Sequence, residues 1–359
     1  MGAAVDATWM ARALALAERA RPLASPNPHV GCVLVRDGQV VAEGWTQRPG
    51  GHHAEAMALA RTDAAAGTTA YVTLEPCAHT GRTPPCADAL ARAGVARVVM
   101  AVADPHPLAT GGTAILRRAG VEVTEGVLAA WAGRQLAGFL VAARRGRPHV
   151  TLKLAQTVDG SLTNPAGRWV TGPAARRAVH RLRARVDGVL VGSGTVLADD
   201  PRLDVRDAPS RREAAPRPVV LDARGRTPPS ATIARPGTIL VTAAGRRDWE
   251  VAMVERGVAV ARVAPADGGG VDLHEALRLL HEAFGLQTLL AEPGATLAGA
   301  LMDADVVDRV VRHVASSVQA TDGRARIVAP VAASARWPLA LWARRDADEE
   351  VVVDRPTRT

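Results

Sequence analysis

A chain of 359 residues with 48% hydrophobic residues, 33 glycines and charges spread along its length can bury two separate cores, and its composition excludes a disordered or low-complexity protein. The formal charge of +8 rests almost wholly on arginine. Those arginines alternate with acids and alanines and form no basic run interleaved with aromatics, which argues against a nucleic-acid surface.

The first segment carries the acid Asp6 and a broken, alanine-rich pattern, so it reads as a helix and not a signal peptide. No apolar run approaches the roughly 20 residues a membrane span needs, and the expected compartment is the cytoplasm. Residues 9–21 have helical apolar spacing, and residues 30–35 and 40–45 flank Asp37-Gly38 as a hairpin. A helix is predicted from about His53, a strand over 69–74 and an irregular Gly/Pro-rich loop through Pro85. A helix over 86–93, a buried strand over 97–102 and a helix over 128–143 follow. The break Arg144-Arg145-Gly146-Arg147-Pro148 marks a domain boundary, giving domains 1–146 and 147–359. Beyond it, apolar runs at 150–154, 188–191, 218–221, 238–241, 258–263, 288–291 and 306–314 alternate with helical stretches near 173–185, 271–284 and 295–304. Residues 207–216 and 266–270 read as surface loops. Alternation in both halves predicts two α/β domains.

Three cysteines in such a chain argue against a disulfide framework and for metal binding or catalysis. Cys32 falls in an apolar strand and reads as core. Cys77 and Cys86 bracket one loop, and His53-Ala54-Glu55 stands at a helix start, with His52 the alternative ligand by one residue. One imidazole and two thiolates leave the fourth tetrahedral position of Zn²⁺ open to water, as a catalytic zinc requires. Glu55, beside the ligand but not one itself, is then placed to take a proton from that water and pass it on. A closed structural zinc would have no use for that carboxylate.

Here a resemblance becomes specific. Ser25-Pro26-Asn27-Pro28-His29-Val30-Gly31, His53-Ala54-Glu55 and the stretch from Thr73 through Glu75-Pro76-Cys77-Ala78-His79 to Cys86 resemble the RibD family of riboflavin-biosynthesis deaminase/reductases. Nucleic-acid deaminases use a Cys-x-x-Cys spacing, whereas eight residues separate these cysteines. The resemblance implies a cytidine-deaminase-like α/β/α domain with His53, Cys77 and Cys86 as zinc ligands and Glu55 as catalytic acid/base. It removes the C2 amino group of a diaminopyrimidine carrying a phosphoribosylamino group, with Asn27 and His79 contacting the pyrimidine. Asp104-Pro105-His106-Pro107 also fits, with His106 where the family has Asn.

Thr151-Leu152-Lys153-Leu154-Ala155, Trp169-Val170-Thr171-Gly172, Gly192-Ser193-Gly194-Thr195 and Ala198-Asp199-Asp200-Pro201-Arg202-Leu203 are similar to the family's second, dihydrofolate-reductase-like domain. That similarity implies NADPH-dependent reduction of the ribosyl group to a ribityl chain. It assigns Trp169, Thr195, Asp199 and Gly294 to the cofactor, and Lys153, Arg183, Leu203, Arg206 and Glu292 to the substrate. It further implies a homo-oligomer acting on a small phosphorylated pyrimidine, with neither nucleic acid nor membrane as partner. Glu292-Pro293-Gly294 replaces the family's Glu-Gly-Gly, and Ser161, Gly167, Asp204 and the 315–320 segment depart from it too. A second reading therefore keeps the deaminase and makes the second domain a degenerate, non-catalytic module. Lys153 is the only lysine in the chain, which reads either as an accident of composition or as a place where a compact ammonium does what a planar guanidinium cannot.

Overall fold

Short β-rich runs and alanine-rich helices build two α/β units, Met1–Gly146 and Arg147–Thr359. The computed structural model describes residues 2–79, 84–157, 160–162, 169–206, 208, 215–315, 339–345 and 348–355. Gly167, most of the 207–216 loop and nearly all of 315–320, singled out above, lie outside these.

In the first unit, strands β1 (Gly31–Arg36), β2 (Gln39–Trp45), β3 (Thr69–Val72), β4 (Arg97–Met100) and β5 (Glu122–Thr124) are ordered β2-β1-β3-β4-β5. The first two form the expected hairpin, with Asp37 and Gly38 at φ 49° and 72° supplying the two left-handed residues its tight turn needs. β1 is antiparallel to both its neighbours, and β3, β4 and β5 run parallel.

Helices α1 (Ala3–Ala24) and α2 (Ala54–Leu59) approach this sheet closely because two strand residues lack side chains. A Cβ on Gly31 would lie 2.0 Å from the Ala13 carbonyl oxygen of α1, and one on Gly44 would lie 2.0 Å from the Ala54 oxygen of α2. Gly31 pairs with Trp45 and Gly44 with Cys32. Neighbouring pairs face opposite ways, so α1 and α2 cover opposite faces of the hairpin. α1 is also fastened by charge: Arg97 binds the buried Asp6 through two contacts of 2.9 Å, and Tyr71 donates to the same carboxylate.

Helices α3 (Cys86–Arg92), α4 (Gly112–Arg118), α5 (Ala129–Gln135) and α6 (Ala137–Arg145) complete the unit. The single helix expected over 128–143 is two, interrupted at Leu136. Gly133 weakens the preceding turn, and the break lets Leu136 and Leu140 both enter the core. Gly146, at φ 62°, caps α6.

The second unit holds β6 (His149–Thr157), β7 (Gly188–Gly192), β8 (Arg217–Leu221), β9 (Ile239–Thr242), β10 (Ala259–Arg262), β11 (Thr288–Ala291), β12 (Arg309–Ala315), β13 (Leu339–Arg345) and β14 (Asp348–Asp354). Their order is β10-β9-β8-β7-β11-β6-β12-β14-β13, with every pairing parallel except the two made by β14, which runs against both its neighbours. Helices α7 (Pro173–Arg183), α8 (Ser193–Asp199), α9 (Arg247–Glu255), α10 (Leu273–Glu282) and α11 (Ala295–Asp303) connect them. The nearly continuous apolar runs of the central strands follow from burial on both faces. At the start of the unit Arg147 binds buried Asp308 through contacts of 2.6 and 2.9 Å, and Asp308 also accepts the Val150 N–H.

Candidate active sites in the two units

The turn into α2 places His53 as the residue before the helix and Glu55 in its first turn, buried. β3 leads into Glu75-Pro76-Cys77, and Cys86 opens α3. These three ends converge: His53 Nδ1 lies 3.6 Å from Cys77 Sγ and 3.4 Å from Cys86 Sγ. The three candidate ligand atoms are all within 4.8 Å of one another. Bonds of about 2.1 Å to nitrogen and 2.3 Å to sulfur at a tetrahedral angle separate N and S by about 3.6 Å, so this donor set fits zinc. His52 is exposed, and its carbonyl accepts from the Gln47 N–H, which leaves His53 as the imidazole facing the sulfurs.

Electrostatics divide the labour among these groups. A hydrogen bond from Cys86, working against burial and joined by one from His53, pulls the Cys77 thiol down to about 4. The same Cys86–Cys77 contact, with burial, pushes Cys86 up. Burial raises the Glu55 carboxyl to about 7, with the Cys77 charge adding to it and His53 opposing it. A carboxyl poised there both accepts and returns a proton at neutral pH.

Glu75, which sequence reasoning treated only as part of the cysteine motif, fixes the sulfur loop. Its buried carboxylate accepts from the N–H groups of Asp104, Gly111 and Thr113 at 3.2, 3.1 and 3.0 Å and from the Thr113 hydroxyl at 2.9 Å. An acid directly after a buried strand was the available signal. Gly112 has no room for a side chain, since a Cβ there would lie 1.7 Å from the Pro76 oxygen. Asn27 is half-buried, with its N–H on the Ala24 carbonyl at 2.7 Å. His79 is exposed, next to residues outside the described set. Asp104 accepts from the His106 N–H, and the His106 side chain is exposed.

In the second unit Glu292, just past β11, receives Arg183 from α7 through Nε at 2.6 Å and Nη2 at 3.1 Å, and Lys153 Nζ of β6 at 3.6 Å. Burial works to raise the Glu292 carboxyl, but the two cations outweigh it and hold the group below the usual carboxylate range. Arg183 also donates to the Asp204 carbonyl at 3.0 Å, and Arg206 pairs with the Asp204 side chain at 2.7 Å. Leu203 is buried beside them with φ 49°. His180, absent from the sequence-based candidates, accepts the Arg206 N–H at 3.0 Å and so fastens this loop to α7. Its place on a helix face three residues before Arg183 was the available signal.

Of the four cofactor candidates, Thr195 and Gly294 come together. A Cβ on Gly294 would stand 3.9 Å from Thr195 Oγ1, so the starts of α8 and α11 adjoin. Pro293 precedes Gly294, the residue that caps α11, so the proline costs the helix no hydrogen bond. Trp169 is exposed, with Arg176 stacked 5.0 Å from its ring centroid. Asp199 is exposed on the last turn of α8. Ser161, where the family has a cation, is fully buried and donates its N–H to Thr157 Oγ1.

The family described as cytidine and deoxycytidylate deaminase zinc-binding region matches residues 4–102, and the RibD C-terminal domain matches residues 148–340. The riboflavin biosynthesis protein RibD of Escherichia coli (strain K12) is 40% identical over 342 residues, covering 90% of this chain and 91% of that protein. The chain belongs to the RibD family. The RibD of Aquifex aeolicus (strain VF5) is 38% identical and covers 88% of each chain. Among solved structures, Acinetobacter baumannii RibD, form 1, superposes with a TM-score of 0.85 at 36% identity over 99% of this chain and 100% of that one. A diaminohydroxyphosphoribosylaminopyrimidine deaminase/5-amino-6-(5-phosphoribosylamino)uracil reductase from Thermotoga maritima gives 0.83 at 29% identity, covering 99% of both chains. Both domain types expected from the sequence are therefore present: a deaminase fold followed by a RibD reductase fold.

Proposed function

We propose that the chain is a bifunctional enzyme of riboflavin biosynthesis, with residues 1–146 acting as the zinc-dependent deaminase and residues 147–359 as the NADPH-dependent reductase. The observation that carries the reading is the convergence of His53, Cys77 and Cys86 beside a buried, near-neutral Glu55. When bound, zinc supplies Lewis-acid activation of water at its open fourth position. Glu55 is placed to carry one proton of the attacking water to the pyrimidine ring nitrogen and the second to the departing amino group, so that C2 gains the water oxygen as a carbonyl and the amine leaves as ammonia. Asn27 and His79 orient the pyrimidine. His53, Cys77 and Cys86 hold the metal, and Glu75 keeps the cysteine loop in register with α4.

In the second unit Lys153, Arg183, Arg206, Leu203 and Glu292 bind the deaminated aminouracil through its phosphoribosyl arm. Trp169, Thr195, Asp199 and Gly294 hold NADPH, which supplies the hydride that converts the ribosyl group to ribityl. The intact Lys153–Glu292–Arg183 cluster favours an active reductase over a degenerate one. We place the enzyme in the cytoplasm as a homo-oligomer; no helix among the described residues is long and apolar enough to cross a membrane.

A coupled assay with the diaminopyrimidine phosphoribosyl substrate, reading ammonia release and NADPH oxidation separately, tests both halves. Ammonia without NADPH oxidation removes the reductase; neither signal removes the whole reading.

A further inference from the structure

Three surface arginines collect at one end of the second sheet, outside every group described above. β8 ends in the turn Asp222-Ala223-Arg224-Gly225-Arg226-Thr227, and β9 is followed by Arg246. Arg224, Arg226 and Arg246 are exposed. Arg226 Nη2 donates to Ser193 Oγ at 2.9 Å, reaching the glycine-flanked turn that opens α8. Arg246 Nη1 donates to the Gly225 carbonyl at 2.7 Å. These bonds fix both guanidiniums in place, and five N–H donors per arginine leave others for a ligand.

The turn beneath them is stiff. Gly225 has φ 62°, and a Cβ there would press on the Trp249 ring at 3.0 Å. Trp249 in turn donates its indole N–H to the Thr227 carbonyl at 2.7 Å. Asp222 sits where an acid at the end of the second strand of a dinucleotide fold ordinarily takes a ribose 2′-hydroxyl and favours NADH. Here it is fully buried and accepts the Thr227 N–H at 2.6 Å, so it organises the turn and leaves the surface to the cations.

Position along the sheet sets the direction. The substrate cluster of Lys153 and Glu292 lies on β6 and past β11, the Gly192-Ser193-Gly194-Thr195 turn follows the adjacent β7, and the arginines follow β8 and β9 on the far side. Strands are spaced about 4.8 Å apart. A dinucleotide with its reactive ring toward Lys153 and its diphosphate at the β7 turn extends its adenosine half over β8 and β9. Ligands of open α/β sheets lie across these carboxyl ends.

We propose that Arg224, Arg226 and Arg246 bind the 2′-phosphate of the adenosine ribose and so make the reductase select NADPH over NADH. This rests on the cofactor reading given above and adds the residues that decide between the two coenzymes.

The test is equilibrium titration of the full chain with NADPH and NADH, followed by nicotinamide fluorescence, with 2′,5′-ADP and 5′-ADP as competing probes that lack the reactive ring. The expected result is that NADPH binds more tightly than NADH and 2′,5′-ADP competes better than 5′-ADP. In Arg226→Ala, Arg246→Ala and the double variant, NADPH affinity should fall by about ten- to a hundredfold, the loss expected for one or two charge-assisted hydrogen bonds. NADH affinity should stay within about twofold in the same preparations, which also reports that the variants are folded. Equal losses for both coenzymes, an unchanged NADPH affinity, or a wild-type protein that binds NADH and NADPH alike would overturn the assignment while leaving the cofactor reading in place. A wild-type protein that binds neither coenzyme overturns both.

Discussion

Glu55 lies buried beside His53, Cys77 and Cys86, where burial lifts its carboxyl to about 7. Glu55→Gln keeps the volume and removes the proton carrier. Metal analysis of this variant should still find zinc held by His53, Cys77 and Cys86, while ammonia release falls by about 10²- to 10⁴-fold; loss of the metal alongside activity would point to a structural role instead. Glu292 differs again, since it pairs with Lys153 and Arg183, the cations proposed above to bind substrate. Glu292→Gln leaves two cations with one neutral partner, so NADPH oxidation should drop while ammonia release by the first unit is unaffected. A parallel fall in both rates would refute that separation. The convergence of His53, Cys77 and Cys86 was legible in the sequence because a zinc site would fix both residue type and order. Glu75 and His180 were not, since they act through backbone N–H groups that only the folded loops bring within reach.

At the scale of elements, the cysteine loop and α4 meet at a point with no spare volume. The Cβ of Gly112→Ala would overlap the Pro76 carbonyl, so either α4 or the Pro76-Cys77 peptide must move. Zinc affinity should drop at least tenfold in a chelator competition, with the secondary-structure content by circular dichroism nearly unchanged; wild-type affinity would show that the loop yields freely. Helical apolar spacing over 9–21 made the first helix readable beforehand, Asp37-Gly38 the hairpin, and continuous apolar runs the central parallel strands. The short α4 and β5 carry too few apolar positions for a pattern to emerge, and in α9 the exposed Val251 and Val254 blur the face marked by buried Trp249 and Met253. The break at Leu136 was also hidden, because a one-residue interruption leaves the apolar spacing of 128–143 almost intact.

At the scale of the molecule, the second unit is closed by the buried pair Arg147–Asp308, which joins its first residue to the start of β12. Burial works to raise the Asp308 carboxyl, but the hydrogen bonds and charge of Arg147 and its neighbours hold it below the unfolded value of 3.8. A depressed carboxyl stabilises the fold above that unfolded value and loses its contribution as pH falls through the folded one. Asp308→Asn should therefore destabilise the second unit by about 3 to 5 kcal/mol at pH 7, the usual cost of stranding one member of a buried pair. Denaturant melts of wild type and variant should converge as pH falls through the folded-state value of Asp308; a constant gap across pH would mean the aspartate acts through shape alone. The two-fold division was legible from one break, Arg144 to Pro148, because a capping glycine and a proline there stop a helix. The long sheet order was not, since β11 inserts between β7 and β6 and no local pattern encodes such a return.

Gly44 lies in the middle of a strand and touches neither metal ligand nor substrate, yet the helix that begins just after His53 rests on the space where its side chain would be. The imidazole's height above the sheet is thus set by an absent methyl group. A small substituent placed there would act as a shim, tilting the ligand away from the two sulfurs while leaving every named catalytic group chemically intact.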